Sequence, residues 1–272
     1  MQEAWEISLQ QVRLGYGEHV VVDNLTATLP KGKISVILGG SGCGKSTLLK
    51  HITGLLKPLA GSIQIAGQDL STLAPKDRVR LRRRLGVLFQ DGALLGALTL
   101  EENVALPLSE HLHLKRETLK AEALRVLRMV ELENFATFYP HELSGGMRKR
   151  AGLARAIIAN PKVLLCDEPT SGLDPITAAH MDDLLLALHR LYPKMTMVVV
   201  SHDLASLARI AQFVLVLGQG RCLFQGSLQD LENTQDPYLR EFLERRAQDR
   251  EFTDLQAIDP CVQKALEAWL NS

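Results

Sequence analysis

The sequence lacks an excess of charge of either sign. Its 272 residues carry 31 Lys+Arg and 31 Asp+Glu, a formal net charge of zero. A protein that grips a nucleic-acid backbone ordinarily brings a basic surplus to neutralise phosphates, so nucleic acid is not an expected partner. Cysteine is scarce as well. Cys43, Cys166, Cys222 and Cys261 are scattered with no C-x-x-C pair, a pattern that suits a reduced cytosol better than a disulfide framework or a zinc site. His111 and His113 have no ligand-like neighbours in sequence, so they predict no metal site. Long hydrophobic runs are missing too: no apolar stretch approaches the roughly 18 residues of a spanning helix. The opening MQEAWEISLQ has neither a basic n-region nor an apolar h-region, so it does not read as a secretory signal. Any membrane role is expected to come through a partner.

What is present is ample material for a core, with 46% hydrophobic residues. Residues 6–12, 25–29 and 63–65 alternate apolar and polar, the period of half-buried strands. Residues 34–38, 163–166 and 197–200 are nearly all apolar, as in strands covered on both faces, and 213–217 is a further short strand. Helical composition or spacing marks 46–52, 115–133, 144–159 and 175–191. Alternation of strands with helices predicts an α/β fold with a mostly parallel sheet. In the tail, Asp236-Pro237 and Asp259-Pro260 each place an N-cap residue before a first-turn proline. The helices they start would carry Leu239, Phe242 and Leu243, then Val262, Leu266, Trp269 and Leu270, on one side. Such stripes pack onto the parent domain or dock onto another chain.

Three motifs carry chemistry. Gly39-Gly40-Ser41-Gly42-Cys43-Gly44-Lys45-Ser46 fits G-x-x-x-x-G-K-[ST] between a buried strand and a helix that continues through Thr47. Glycines let backbone N–H groups turn inward around phosphate oxygens, and the helix N-terminus adds partial positive charge. Lys45 is placed to reach the β- and γ-phosphates of a nucleotide, and the Ser46 hydroxyl to ligate Mg²⁺. Second, the apolar run 163–166 ends in Asp167-Glu168. Asp167 at a strand's carboxyl end can hold Mg²⁺ through water, and Glu168 can polarise an attacking water. Third, Leu143-Ser144-Gly145-Gly146-Met147 enters a helix and makes a second anion-binding end. Two such ends far apart in one chain suggest that each nucleotide is gripped by two subunits.

In this order the motifs resemble the nucleotide-binding subunits of ATP-binding cassette (ABC) transporters, and the likeness runs from about residue 5 to 245. Between and after them, Tyr16 is similar to the aromatic that stacks on adenine. Gln90 is similar to the Q-loop glutamine that senses Mg²⁺ and the γ-phosphate. Ser171-Gly172-Leu173-Asp174 resembles the D-loop and His202 the switch histidine. Met147 departs from the glutamine that many members have there. The resemblance implies a P-loop NTPase with a RecA-like core, an N-terminal antiparallel β subdomain and a helical signature subdomain at about 91–160. It places the ATP-binding domain at 1–245 and a helical extension at 246–272. It further implies ATP and Mg²⁺ as cofactors and a head-to-tail homodimer closing over two ATP molecules. In that pair Lys45 and Ser46 of one copy face Ser144 and Gly146 of the other. Closure would pull on an integral-membrane permease whose coupling helices dock beside Gln90.

A narrower likeness follows Gln90. Residues 89–94 and 98–108, the run Arg148-Lys-Arg-Ala-Gly-Leu-Ala-Arg-Ala156, and Asp236–Leu243 resemble the ATPases of bacterial Mla phospholipid transporters. That resemblance implies a peripheral protein on the cytoplasmic side of the inner membrane. Its partners would be a permease, an MCE-domain lipid-binding protein and a STAS-domain protein, and its task outer-membrane lipid asymmetry. The alternative is the ATPase of another importer, for an amino acid or other small solute. DNA-repair cassettes insert long modules before the signature, and translation-factor cassettes fuse two copies; neither pattern is present. The arginines at 78, 80 and 82–84 read as a solvated helix face.

Overall fold

The computed structural model describes residues 5–244. The first elements are β1 (Ile7–Tyr16), β2 (His19–Leu29), β3 (Ile34–Leu38), α1 (Lys45–Ile52), β4 (Ala60–Ile65) and β5 (Gln68–Asp69). Then come α2 (Pro75–Arg82), β6 (Leu85–Leu88), α3 (Leu100–Ser109), α4 (Arg116–Met129), α5 (Gly145–Ile157) and β7 (Val163–Asp167). The remainder is α6 (Pro175–Leu191), β8 (Thr196–Val200), α7 (Leu204–Ile210), β9 (Phe213–Gly218), β10 (Arg221–Gly226), α8 (Leu228–Glu232) and α9 (Pro237–Glu244). The described residues divide into two compact units, one through Asn233 and one from Thr234.

The first unit holds two sheets. One is four-stranded and antiparallel, in the order β2-β1-β4-β5. The other runs β10-β9-β3-β8-β7-β6, parallel throughout except for the antiparallel edge strand β10. Every residue of β3 and β8 is buried, as their nearly all-apolar sequences predict for central parallel strands. The register aligns the carboxyl ends: Leu88 sits opposite Cys166, Asp167 opposite Val200, and Val200 opposite Ile37. Loops leaving β3, β8, β7 and β6 therefore emerge side by side, where ligands bind in open α/β sheets.

Helix α1 is locked beneath its loop by Leu48, Leu49 and Ile52, which join a core with Ile37, Val198, Val200 and Leu215. Fully burying each such side chain stabilises by roughly 1.5–3 kcal/mol, so the helix N-terminus is a rigid platform. Helices α3, α4 and α5 pack on one another. The helix predicted for 115–133 stops at Met129 because Glu131 adopts a left-handed φ of 57°. Helix α3 opens on a reciprocal cap: Thr99 Oγ1 accepts from the Glu102 N–H at 3.4 Å, and Glu102 accepts from the Thr99 N–H at 2.9 Å. Asn103, fully buried, orders the segment before it. Its Oδ1 accepts from the Leu95 N–H at 2.7 Å, and its amide reaches the carbonyls of Leu95, Leu98 and Thr99 at 3.0 Å.

In the arginine run, Arg80, Arg82, Arg83 and Arg84 are exposed, as expected, and Arg78 is partly buried. Arg78 donates to Leu73 O at 3.2 Å, and Arg82 donates to Gly54 O at the end of α1. In the second unit, Asp236 caps α9 as predicted, its Oδ1 accepting from the Leu239 N–H at 3.0 Å. The helix predicted from Asp259-Pro260, the extension at 246–272 and Cys261 lie outside the described residues.

Candidate nucleotide site

The loop from β3 to α1 curls around its own lysine. Lys45, buried, donates from Nζ to Gly39 O at 2.8 Å and Gly40 O at 2.9 Å. Gly44 forms the turn into the helix with a φ of 104°, and a Cβ there would strike Val22 Cγ2. Only glycine fits a backbone so placed. The first turn of α1 contains no acidic residue of its own, so the helix brings its partial positive charge to the loop.

A cavity of about 520 Å³ opens over this loop, lined by Ser41, Gly42, Gly44, Lys45, Ser46, Thr47, Gln90, Glu168 and His202. The aligned strand ends bring these residues together from across the sequence. Ser46 Oγ donates to Asp167 Oδ1 at 3.1 Å. Burial pushes the Asp167 carboxyl above its ordinary range, with the Ser46 bond and the ammoniums of Lys50 and Lys45 opposing. A carboxylate penalised by burial gains most from a nearby cation, and hydroxyl, carboxylate and amide oxygens from Ser46, Asp167 and Gln90 suit Mg²⁺. These residues fit the ion. Glu168 adopts φ 49°, and its N–H donates to Val200 O at 2.9 Å. His202 Nδ1 lies 3.3 Å from Glu168 Oε1, the histidine largely exposed and the glutamate mostly covered.

Tyr16 ends β1, 44% exposed as a residue, with its hydroxyl 3.4 Å from Thr47 Oγ1. The Lys50 ammonium lies 5.7 Å from the ring centre. The Thr47 contact is the main cause of a lowered Tyr16 pKa. Tyr16 thus stands beside the phosphate loop, partly open to solvent.

Other predicted site residues lie elsewhere. Ser144, Gly145 and Gly146 do not line the cavity. Ser144 caps α5, accepting from the Met147 N–H at 3.2 Å, and both Ser144 and Gly145 are exposed. Asp174 caps α6, accepting from the N–H groups of Ile176 and Thr177 at 3.0 Å and from the Thr177 hydroxyl at 2.5 Å. Those bonds, the Thr177 hydroxyl first, hold its carboxyl below the usual range.

Cys43 is half-buried with Sγ facing Gly39, and burial raises its thiol pKa against the partly opposing charge of Lys45. The thiolate is the nucleophile, so alkylation should be slow near neutral pH and quicken roughly tenfold per pH unit until the thiol titrates. Followed by mass spectrometry of the Cys43 peptide, modification should abolish ATPase activity in proportion. Full modification with full activity would contradict a blocked loop.

Three residues of α5 have roles that local sequence does not reveal. Arg155, from α5, donates to Gly92 O and Ala93 O, both at 2.8 Å, and fixes the segment after Gln90. Gly152 meets that segment face to face: a Cβ there would lie 2.9 Å from Gly92 Cα. Lys149, also from α5, is buried and reaches the carbonyls of Glu168 and Ser171. All three belong to the 148–156 run, which carried only a family likeness because their partners are distant in sequence.

Known proteins with this arrangement are numerous. The family described as ABC transporter matches residues 22–171. "Probable ribonucleotide transport ATP-binding protein mkl" of Mycobacterium tuberculosis (strain ATCC 25618 / H37Rv) is 37% identical over 240 residues, 88% of this chain and 67% of its own length. "Intermembrane phospholipid transport system ATP-binding protein MlaF" of Haemophilus influenzae is 38% identical over 237 residues, 87% of this chain and 89% of its own. The ATP-binding cassette MJ0796, solved as a dimer in a post-hydrolysis state bound to ADP and Pi, superposes with a TM-score of 0.75 at 34% identity. That match covers 82% of this chain and 98% of the solved one.

Proposed function

The chain belongs to the ABC transporter family and hydrolyses ATP, and from that premise we propose that it drives a bacterial inner-membrane transporter of phospholipids. In this reading it sits on the cytoplasmic side of that membrane and helps maintain outer-membrane lipid asymmetry. The observation that carries the cargo is the 38% identity to the Haemophilus phospholipid-transport ATPase across nearly the whole of both chains. Among the described residues no helix is long and apolar enough to cross a membrane, so a permease partner supplies the path. An MCE-domain lipid-binding protein and a STAS-domain protein complete the assembly.

The roles in this reading follow from the positions of the lining residues. Tyr16 stacks on the adenine, and the loop 39–46 wraps the phosphates with its N–H groups, Thr47 following at the start of α1. Lys45 exchanges its carbonyl partners for phosphate oxygens. Ser46, Gln90 and Asp167 would hold a Mg²⁺ ion, which would supply neutralisation of phosphate charge. Glu168 accepts a proton from the attacking water, and His202, 3.3 Å away, orients that carboxylate. Ser144, Gly145 and Gly146 grip the nucleotide held by a second copy, with Asp174 at the same seam. This places the signature where the cavity of its own chain does not reach.

A second reading follows from the mycobacterial relative, whose name specifies ribonucleotides. Purification of the tagged chain from membranes in mild detergent distinguishes the two. The expected co-purifying proteins are a permease and an MCE-domain protein, with ATPase activity that responds to phospholipid. A permease accompanied by a solute-binding protein, with turnover indifferent to lipid, would remove the phospholipid assignment.

A further inference from the structure

Lysine is seldom fully covered, because its ammonium must replace lost hydration with fixed partners. Lys149 is 5% exposed in the second turn of α5. Its Nζ donates to Glu168 O at 2.9 Å and to Ser171 O at 2.5 Å. Glu168 O also accepts from the Ser171 N–H at 3.2 Å, so the lysine caps a tight turn that already closes on itself. The first residue of that turn is Glu168 at φ 49°, a conformation that persists only where its surroundings over-determine it. Burial pushes the Lys149 ammonium below its ordinary pKa, and the carboxylates of Asp91, Glu168 and Asp167 oppose that shift.

We propose that Lys149 is a positioning residue for Glu168, holding the turn that carries the carboxylate against the helix that begins at Ser144. The proposal rests on the reading of Glu168 as the group that accepts the water's proton. Ser144 and Lys149 are five residues apart, about 7.5 Å along the helix axis. A displacement of Ser144 on meeting the second copy's nucleotide is thereby passed through α5 to the turn bearing this chain's own Glu168. One helix links the half-site the chain lends to its partner with the half-site it keeps. Arg155 and Gly152, further along the same helix, hold the segment after Gln90 and bring it into the same linkage.

The test is Lys149→Met, which keeps the stem and loses every donor. A misplaced reacting group lowers turnover more than binding, so kcat should fall about tenfold or more, with KM for ATP and affinity for a fluorescent ATP analogue within about twofold. Lys149→Gln donates through a shorter stem that reaches one carbonyl at a time, and should lose about threefold in kcat. In a Glu168→Gln background, Lys149→Met should cost nothing further, since it acts through the group already removed. Wild-type turnover in Lys149→Met, a parallel rise in KM, or the same loss repeated in Glu168→Gln would each overturn the proposal. If Lys149→Met gives no folded protein, Lys149→Gln carries the same comparison alone, with wild-type kcat as the contrary result. Glu168→Gln at wild-type turnover would sink the role of Glu168 itself, a failure distinguishable from that of Lys149.

Discussion

Glu168→Gln is expected to lower ATP turnover by roughly 10²–10⁴-fold while leaving ATP affinity within a factor of about two. The substitution keeps the size of a mostly covered side chain and an oxygen for the His202 contact at 3.3 Å. It removes only the ability to take a proton. Neither the wrapping of the phosphates by 39–46 nor the Ser46–Asp167 contact involves the Glu168 side chain, so nucleotide binding survives. Without hydrolysis to reopen it, the nucleotide-bound pair should accumulate, visible by size-exclusion chromatography as a dimer dependent on ATP. A variant with turnover near wild type would assign proton acceptance to another group.

Much of this site could be read before any coordinates. Strand β3 and the loop after it are legible because both signals are local: a nearly all-apolar strand, then glycines ending in Lys45-Ser46. Asp167 and Glu168 were legible for the same reason, at the end of an apolar run. Less could be read where meaning depends on distance. Strand β6 is four residues beyond an arginine run, too short to show a period, and it becomes a strand by pairing with β7. Helix α3 carries Pro107, which masks its pattern. Lys149 stands in the sequence as one cation among three at 148–150. Its role exists only because α5 passes beside the end of β7, and no local spacing encodes that. Asn103 escaped for the same reason, as a polar residue buried by four bonds to its own preceding loop.

The second large effect concerns the two half-sites. Lys45→Ala removes the buried ammonium from the phosphate loop, and Ser144→Arg replaces the exposed cap hydroxyl of α5 with a bulky side chain. Losing that cap costs only about 1 kcal/mol, so the chain should still fold. Each variant alone should fall to roughly 1% of wild-type activity or below, the scale on which removal of a transition-state charge contact acts. Homodimers of either kind have two defective sites. In a pair containing one of each, both defects fall on the same site and the other is intact.

Mixing the two variants is therefore the most direct measurement of a nucleotide site shared between copies. A one-to-one mixture allowed to exchange subunits should regain about a quarter of wild-type ATPase activity, since half of the pairs are mixed and each mixed pair has one sound site. Activity that stays at the single-variant baseline, in pairs verified as mixed, would contradict completion of the site by Ser144 of a second chain.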